Sequence, residues 1–419
     1  MSDQPKFSIV YPTRNRPDLL RVCVEAALNQ DYQNWELIVS DNSPQMTAKP
    51  VYKEFAADPR IRYVSTGGEF SMFENFEFGL KQARGTYVTV LTDKTALLPC
   101  CLNVCAQLTE QKDYDLINWS EAHFFPMSPE KKADAYGYLQ VVYQPGTIAE
   151  YKPDAELDYL LAFHKHRSHD MPHYFRGKIL FGCVRRSLIA DQIEKGEFFL
   201  KYAPDYTTRI FLLSKAKSAV EIGFPLQCAF ISGDSNGMLC AKYPDKAFEF
   251  FQGADQMENV HHYFPIRGLY TSQQNHVAGD YCYALEKAGI EKKINTFNLY
   301  GTVLFDLLKV EWNQSHLRRI HLGLFRKAVI REGFLFSVKF AVQKLPWVLF
   351  LYVRNRLNLA RQKVYRWVKI PSLRKWISYY ETNQNYASMT EAMHQLSEKA
   401  LVVLPIQANI NEGKLDLKD

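Results

Sequence analysis

Residues 7–43 read FSIVYPTRNRPDLLRVCVEAALNQDYQNWELIVSDNS, and this stretch decides the predicted fold. It opens with a short apolar run typical of a strand and passes through a proline-bounded turn at residues 12–17. From Asp18 onward the apolar residues recur at helical spacing. A second apolar run at residues 35–40 ends at Asp41. The order strand, turn, helix, strand predicts a βαβ unit.

The same alternation continues to about residue 91. It predicts a third strand at residues 61–64, a helix at residues 73–83 that is closed by Gly85, and a fourth strand at residues 86–91. Strands that alternate with helices at this spacing predict an α/β fold with a parallel, doubly wound sheet. In such sheets ligands bind beyond the carboxyl ends of the strands. The polar residues that follow these strands are therefore the first candidates for a binding site.

Three blocks of this sequence resemble family 2 glycosyltransferases. Residues 7–43 resemble the family's amino-terminal signature, in which a strand leads into P-T-x-N-R and a second strand ends in D-(D/N)-x-S. The stretch MFENFEFGLKQARGTYVTVLTDKTALLP at residues 72–99 is similar to the second block, and APDYTTRIFLLSKAKSAVEIGFPL at residues 203–226 is similar to the third. The resemblance covers residues 7 to about 226.

The resemblance implies a GT-A fold, a Rossmann-like, doubly wound mixed sheet. It also implies an enzyme that moves a sugar, with inversion, from a nucleotide-sugar donor to a glycan or lipid-linked acceptor. By the same resemblance, residues 1–244 would form the glycosyltransferase domain, with a nucleotide-binding half at 1–99 and an acceptor half at 100–244. Residues 245–419 show long stretches of helical spacing and few turns, which predicts a mainly α-helical carboxy-terminal region.

The resemblance also implies which residues bind the donor. Asp41 would accept a hydrogen bond from the uracil N3–H, which favours a UDP-sugar. The alternative is that Asp41 is a turn residue that caps the segment after it. The complete set of candidate donor-binding residues is Pro12, Thr13, Arg14, Arg16, Asp41, Asn42, Asn75 and Asp93.

The acidic tract after the fourth strand departs from the family pattern. Family members hold Mg²⁺ or Mn²⁺ there with aspartates, and oxygen-only ligation suits these ions. Here only Asp93 remains, and it is followed by Lys94. Asp93 could still bind a metal together with phosphate and water oxygens, or the Lys94 ammonium could itself offset the charge of the leaving diphosphate. A third possibility is a non-catalytic, glycosyltransferase-like binding module.

The third block carries the predicted general base. By the resemblance, Asp205 would take the proton from the acceptor hydroxyl, and Arg209 would orient nearby acids or phosphates. A proline, Pro204, stands where the family usually has a Glu. The alternative role of Asp205 is to cap the helix that follows Pro204.

Charge is distributed unevenly along the chain. Residues 318–375 hold fifteen Lys and Arg against one acid, a net charge of +14, which leaves −8 on the rest of a chain whose total is +6. The segment is also aromatic-rich and amphipathic, as in helices that lie on anionic membranes. Its longest uncharged run, residues 345–353, is too short to span a bilayer. The alternative is that these helices pack on the catalytic domain.

Two further observations bear on location and partners. The sequence begins MSDQPKFSIV, without the basic and apolar regions of a secretory signal, and its eight cysteines form no paired zinc motif. These features predict a cytoplasmic protein with reduced thiols, and the basic segment predicts a peripheral location on the inner face of the cell membrane. No recognised nucleic-acid-binding motif accompanies the basic segment, so no nucleic-acid partner is expected.

Overall fold

The βαβ unit predicted from the opening residues is present. A computed structural model describes residues 4–127, 132–141, 145–164, 172–200, 203–231, 263–309, 315–367 and 384–404. In chain order the strands are β1 (Phe7–Thr13), β2 (Trp35–Asp41), β3 (Ile61–Ser65), β4 (Tyr87–Val90), β5 (Thr95–Leu97), β6 (Leu116–Pro126), β7 (Gly137–Val141), β8 (Ile148–Tyr151), β9 (Gly182–Arg185), β10 (Ala219–Phe230) and β11 (Gln384–Tyr386).

These strands form one mixed sheet. Its main path runs β11-β7-β6-β9-β4-β1-β2-β3, and β10 pairs with β6, β5 and β8. Strand β1 is parallel to β2 and β4, and β2 is parallel to β3. Strand β9 is antiparallel to both β4 and β6, so β6 runs in the same direction as β4. The carboxyl ends of β1, β2, β3, β4 and β6 therefore point the same way, toward one edge of the sheet.

The described residues fall into two units, and the first contains the sheet. It comprises residues within 1–157, 171–232 and 383–419. Its helices include α1 (Pro17–Leu28), α2 (Lys49–Phe55), α3 (Met72–Lys81), α4 (Cys101–Gln111), α6 (Ala190–Lys195) and α7 (Pro204–Lys215), and α5 (Pro153–Leu161) begins in this unit and ends at residues assigned to the second. The α/β class with a mixed, helix-flanked sheet is thus confirmed, and the boundary predicted at residue 244 lies outside the described residues.

Local chemistry explains where two of these helices begin. Helix α3 starts after Ser71, whose hydroxyl accepts a hydrogen bond from the Glu74 N–H while the Glu74 carboxylate accepts one from the Ser71 N–H. This reciprocal arrangement is a capping box. Helix α7 starts with Pro204 at its first position, where the missing N–H costs no hydrogen bond. Its N-cap is Ala203, so Asp205 lies inside the first turn rather than at the cap.

Part of the predicted carboxy-terminal region packs in the first unit. Strand β11 pairs with β7, and helix α13 (Met389–Val403) follows it. The buried side of α13 belongs to the core, and the Ser397 hydroxyl accepts a hydrogen bond from the Cys100 backbone N–H at 3.0 Å. The same core contains most of the cysteines as buried free thiols: Cys23, Cys100, Cys101, Cys105, Cys183 and Cys228.

The second unit is helical in its described part. It comprises residues within 158–170 and 233–382. Its helices are α8 (Gln273–Lys287), α9 (Thr296–Lys309), α10 (Ser315–Arg331), α11 (Phe334–Lys339) and α12 (Leu345–Trp367), with a π-helical turn at residues 340–344 between the last two. The predicted helical character of the carboxy-terminal region is confirmed for these residues. The stretch Phe334–Asn358 is long and apolar enough to cross a membrane by length and composition alone, with a mean hydropathy of 1.5.

Glu77 on α3 is an acid with an unusual environment. It is buried, and its Oε2 accepts a hydrogen bond from the Phe199 backbone N–H at 2.8 Å. Burial is the largest influence and raises the pKa of Glu77 to about 7, against the opposing effects of the Phe199 hydrogen bond and Lys81. The carboxyl is therefore held in an environment that disfavours its charge.

We expect Glu77→Gln to raise the free energy of unfolding at pH 8 by about 2 kcal/mol and to change it little at pH 4. The folded-state pKa lies above that of an unfolded Glu. Glu77 therefore costs the native protein no stability below the pKa of the unfolded state. The free energy of unfolding falls as the pH rises through the pKa of the folded state. An uncharged Gln removes that loss. Urea unfolding at both pH values measures the free energy of unfolding. The control is Glu110→Gln, at an exposed position. An equal gain in stability at both pH values would contradict this explanation.

Candidate active site

Three polar groups from the end of β1 and the loop after it meet at Asp93, in the loop after β4. The Thr13 hydroxyl, at the end of β1, donates to Asp93 Oδ2 at 2.9 Å. The Arg16 guanidinium, just before α1, donates to Asp93 Oδ1 at 3.2 Å. The Arg14 backbone N–H also contributes a hydrogen bond to this carboxylate. The loops after β1 and β4 are therefore joined through one buried acid, as expected for neighbouring parallel strands.

The loop after β2 adjoins the loop after β1. The Asn42 backbone N–H donates to the Thr13 carbonyl at 2.9 Å, and the Asn15 N–H donates to the Ser43 hydroxyl at 2.9 Å. Pro12 is buried within β1, where it lies in register with Ser40 of β2. The structure thus brings together the predicted segments 12–16, 41–43 and 92–94.

Asp41 is fully buried, and its carboxylate holds the turn that follows β2. Its Oδ1 accepts from the Ser43 N–H at 2.9 Å, and its Oδ2 accepts from the Ala48 N–H at 3.1 Å and the Tyr63 hydroxyl at 3.0 Å. These contacts give Asp41 the capping role that was the alternative from the sequence. Recognition of a nucleobase by this carboxylate stays a prediction, and it would require the 43–48 turn to open.

Asn42 and Asn75 also form hydrogen bonds to other residues of the protein. The Asn42 amide donates to the Phe70 carbonyl at 2.6 Å, and its oxygen accepts from the Thr66 hydroxyl at 2.6 Å. The Asn75 oxygen accepts from the Ser40 hydroxyl at 2.7 Å. Both side chains are buried, so they support the loops from inside the protein. Among the predicted donor-binding residues, Arg14 and Arg16 are the exposed ones, and both are positively charged.

Lys94 follows Asp93 and is mostly buried; its carbonyl accepts from the Phe230 N–H at 2.8 Å, while its ammonium makes no hydrogen bond or ion pair with any residue within the described ranges. Burial lowers the pKa of Lys94, and the nearby negative charge of Glu121 is the main opposing influence. The Glu121 carboxylate is itself held by His123 at 2.9 Å and by the Gln227 amide at 3.0 Å. Lys94 therefore places a cation beside Asp93 and Arg16.

The carboxylates at this place do not suit a divalent metal. Both oxygens of Asp93 already accept hydrogen bonds from protein groups, one of them cationic, and the next residue is a lysine. The positive charges of Arg16 and Lys94 beside this carboxylate disfavour a further, doubly charged ion there. In the part of the chain that the structure describes, no three His, Cys, Asp or Glu side chains are grouped to hold a metal ion.

Asp205 is paired with a lysine that the sequence did not single out. The Lys178 ammonium lies 3.3 Å from Asp205 Oδ2, and its side chain is 0% exposed, whereas that of Asp205 is 25% exposed. The ammonium also lies over the rings of Tyr174 at 4.0 Å and Tyr206 at 4.3 Å. Lys178 thus fixes the carboxylate from inside the protein while the other side of that carboxylate reaches solvent.

Arg209 lies in a buried ion network, defined by Glu156, His173, Arg176, Arg209 and Glu221. Arg209 donates to the carbonyls of Arg176, at 2.7 Å, and His173, and its guanidinium lies 3.6 Å from Glu156. Arg176 bridges Glu156 at 3.1 Å and Glu221 at 2.7 Å. Burial alone would raise the pKa of Glu156, but the His173 hydrogen bond and the arginine charges lower it overall.

Of the two roles that the resemblance implies for Arg209, orienting acids or orienting phosphates, this network agrees with the first. Its guanidinium orients an acid, Glu156, and two backbone carbonyls. It is almost fully buried, with 3% of the residue exposed, and so does not face a phosphate ligand in this conformation.

Hydrogen bonds connect the Asp93 and Asp205 sides through β6. The Asn118 amide on β6 donates to the Lys178 carbonyl at 3.1 Å. The Gln227 amide donates both to the Leu180 carbonyl at 3.1 Å and to Glu121. The segment that carries Lys178 is therefore fastened to the same strand that holds Glu121 beside Lys94.

Sequence reasoning did not find Glu121, Lys178 and Glu156 as site residues. A usable signal exists for two of them, because Glu121 interrupts the apolar run LINWSEAHFF and Lys178 interrupts the stretch RGKILFG. A single charge in an otherwise buried segment is costly unless it is paired. Glu156 stands among other acids near the start of α5, where nothing distinguishes it.

Comparisons with known proteins agree with the motifs. Residues 8–145 match glycosyl transferase family 2. A GalNAc(5)-diNAcBac-PP-undecaprenol beta-1,3-glucosyltransferase of Campylobacter jejuni is 35% identical over 25% of this chain and 34% of that protein. A putative colanic acid biosynthesis glycosyl transferase of Escherichia coli, WcaA, is 31% identical over 25% of this chain and 38% of that protein. The chain thus spans about a third of the length of these curated relatives.

Among solved structures, S. aureus TarS 1-349 is similar over 78% of this chain and 92% of its own chain, with a TM-score of 0.45 and 14% identity. The family match is the finding that bears on the site, because it includes the loops that meet at Asp93. The match of residues 8–145 to glycosyl transferase family 2 thus agrees with the resemblance that the motifs of the sequence indicate.

Proposed function

We propose that the protein is an inverting glycosyltransferase that uses a nucleotide-sugar donor, with a UDP-sugar as the expected donor. The observation that carries the proposal is the meeting of Thr13, Arg16 and Asp93 beside Lys94, inside the segment that matches the family. This meeting places cationic and hydrogen-bonding groups at the carboxyl ends of β1 and β4, where open α/β sheets bind ligands. A diphosphate is the part of the donor that such groups would bind.

The proposed reaction is a single displacement. An acceptor hydroxyl oxygen attacks the anomeric carbon and forms the new glycosidic bond. The bond from that carbon to the diphosphate oxygen breaks, and its electron pair stays on the diphosphate. The hydroxyl proton passes to the carboxylate of Asp205, which is partly exposed and fixed by Lys178. One displacement from the opposite face inverts the anomeric carbon.

For the acceptor, we propose a glycan or a lipid-linked glycan. The support is the similarity to the Campylobacter jejuni beta-1,3-glucosyltransferase, whose name includes an undecaprenol-diphosphate-linked glycan. The relative matches only a quarter of this chain, so the acceptor proposal also draws on the exposed apolar helix described below.

A second candidate is a non-catalytic module that binds a nucleotide sugar or a partner enzyme. The reduced acidic tract favours it, because Asp93 is already bound by Thr13 and Arg16. The carboxylate of Asp205 argues against it, since a pure binding module has no need of a fixed, partly exposed base.

A donor-hydrolysis screen tests the proposed function. UDP-, GDP- and dTDP-sugars are each incubated with the full chain in the presence of Mn²⁺, Mg²⁺ or a chelator. We expect release of UDP from at least one UDP-sugar, at a rate that depends on Asp205. Binding of a nucleotide sugar without turnover of any donor, even with lipid-linked acceptors, would favour the non-catalytic module.

The helical second unit exposes a long apolar surface. Nine large apolar side chains between Phe334 and Leu357 face solvent at helical spacing, and Leu335 is 83% exposed. We call this surface the apolar stripe: Phe334, Leu335, Val338, Val342, Leu345, Leu349, Phe350, Val353 and Leu357.

The opposite side of the same helix is packed. Phe340 and Val348 are buried, and the Lys339 ammonium lies over the Phe297 ring at 4.8 Å. One packed side and one exposed apolar side are typical of a helix that lies in the membrane interface. We therefore propose that the stripe attaches the protein to an anionic, cytoplasmic membrane surface, with the basic residues of segment 318–375 adding electrostatic attraction.

We expect the double variant Val342→Glu/Leu349→Glu to bind vesicles of phosphatidylcholine and phosphatidylglycerol at least about tenfold more weakly than wild type. Each large apolar side chain contributes about 1.5–3 kcal/mol on burial, and a charge in its place adds a penalty. Co-sedimentation measures the partition coefficient. The control is Val402→Glu, at a position that is 86% exposed on α13. Equal binding by wild type and the double variant would refute attachment through the stripe.

A further inference from the structure

The proposed function leaves open what neutralises the leaving diphosphate. The family pattern assigns this task to a metal ion held by several aspartates, of which this chain keeps only Asp93. In the structure, the two oxygens of Asp93 accept from Thr13 and Arg16, so the carboxylate organises the protein rather than presenting free metal ligands. Position 94, directly after it, carries an ammonium instead of a carboxylate.

The surroundings of Lys94 suit a residue that binds an anion. Its side chain is mostly buried, and its ammonium makes no hydrogen bond or ion pair with residues that the structure describes. A buried ammonium without a hydrogen-bond acceptor is unfavourable, and three N–H donors can be satisfied by phosphate oxygens. Arg16 lies on the other side of Asp93 with 51% of its side chain exposed, so a second cation is accessible to the same ligand.

Glu121 supplies a nearby negative charge without a hydrogen bond or ion pair to the Lys94 ammonium. It carries the largest negative influence on Lys94, and it is oriented by His123 and by the Gln227 amide. The charge of Glu121 therefore opposes the effect of burial and favours the charged form of Lys94.

From this geometry we infer that Lys94 and Arg16, and not a divalent cation, neutralise the departing nucleoside diphosphate. The inference rests on the proposed transferase function. When the bond between the anomeric carbon and the diphosphate oxygen breaks, the electron pair remains on that oxygen. The two cations lie ready to stabilise the added negative charge, and no proton needs to move to or from Lys94. The transferase is then independent of metal.

Calorimetric titration of UDP into the full chain, with EDTA and separately with Mn²⁺, tests the inference directly. For wild type we expect the same dissociation constant, within about twofold, in both conditions, and transfer at the same rate. Lys94→Met is expected to weaken UDP binding at least tenfold and to lower turnover by about 10²–10³-fold, as for loss of one charge-stabilising donor. Lys81→Met, at an exposed lysine of α3, is the matched control and should change neither.

A second variant at the same position distinguishes the loss of a specific charge from general damage to the site. Lys94→Asp supplies a second carboxylate beside Asp93, and we expect its UDP binding to become dependent on Mn²⁺, which electron paramagnetic resonance of the ion detects. If wild-type binding or transfer is lost in EDTA and returns with Mn²⁺, the inference is overturned while the proposed function stands. If no nucleotide binds in either condition, the inference and the proposed function fall together.

Discussion

Replacing Asp205 with Asn is expected to lower kcat by about 10²–10⁴-fold, the usual contribution of a general base. Asn keeps the size of the side chain and an oxygen that can accept from Lys178, which lies 3.3 Å from the carboxylate in the native protein. It cannot take up the acceptor proton. Donor affinity should therefore remain close to that of wild type, and single-turnover kinetics with saturating donor should report the loss.

The matched control is Asp191→Asn, at an exposed acid in the first turn of α6. It makes the same chemical change in the same unit of the protein and should leave kcat and donor affinity unaltered. If Asp205→Asn transferred sugar as fast as the control variant, another group would be the base. If instead it lost donor binding and turnover together, Asp205 would be acting on the donor and the proposed assignment would be wrong.

The first ninety residues were predictable because local signals there agree with one another. Strands β1, β2 and β3 and helices α1 and α3 lie within one or two residues of their predicted positions. Strands β1 and β2 are fully buried, β3 is partly buried, and turn residues bound each of them, so the apolar runs coincide with the elements. The carboxyl-edge location of Thr13, Asp41 and Asp93 followed from this part of the sheet alone.

The remainder of the sheet depends on pairings that are distant in the sequence. Strand β5 has only three residues and pairs with β10, more than a hundred residues later. Strand β11 joins β7 across an even longer separation. Such short strands carry too little periodic signal to be recognised locally, and their position is determined by tertiary pairing.

The candidate site also has a part that could be predicted from the sequence and a part that could not. The motifs predicted that Thr13, Arg16 and Asp93 belong together, and the structure joins them by hydrogen bonds. The sequence marks Glu121 and Lys178 as unusual charges but not which groups they face, because Glu121 comes near Lys94, and Lys178 pairs with Asp205, only through the packing of β6 and of the segment before β9. Asp41 illustrates the converse case, in which a motif residue has its carboxylate bound by Ser43, Ala48 and Tyr63.

Arg209→Met is expected to destabilise the protein by about 3–5 kcal/mol, the typical cost of removing one partner from a buried ion pair. The native guanidinium satisfies the carbonyls of Arg176 and His173 and lies 3.6 Å from Glu156, and methionine can provide none of these contacts. The remaining Glu156 charge is still held by Arg176, so the loss should be substantial without abolishing folding. Urea unfolding at neutral pH measures the free energy, and UDP titration at low temperature measures donor binding in the folded variant.

The control for this prediction is Arg84→Met, at an exposed arginine of the same unit, where a change within about 0.5 kcal/mol is expected. A double-mutant cycle with Glu156→Gln should give a coupling energy of about 1–3 kcal/mol, because the two residues belong to one network. A structural role requires lost stability with unchanged UDP affinity. The opposite result, weakened UDP binding with native stability, would mean that Arg209 leaves the buried ion network and contacts the donor, and the role assigned to it from the structure would have to be abandoned.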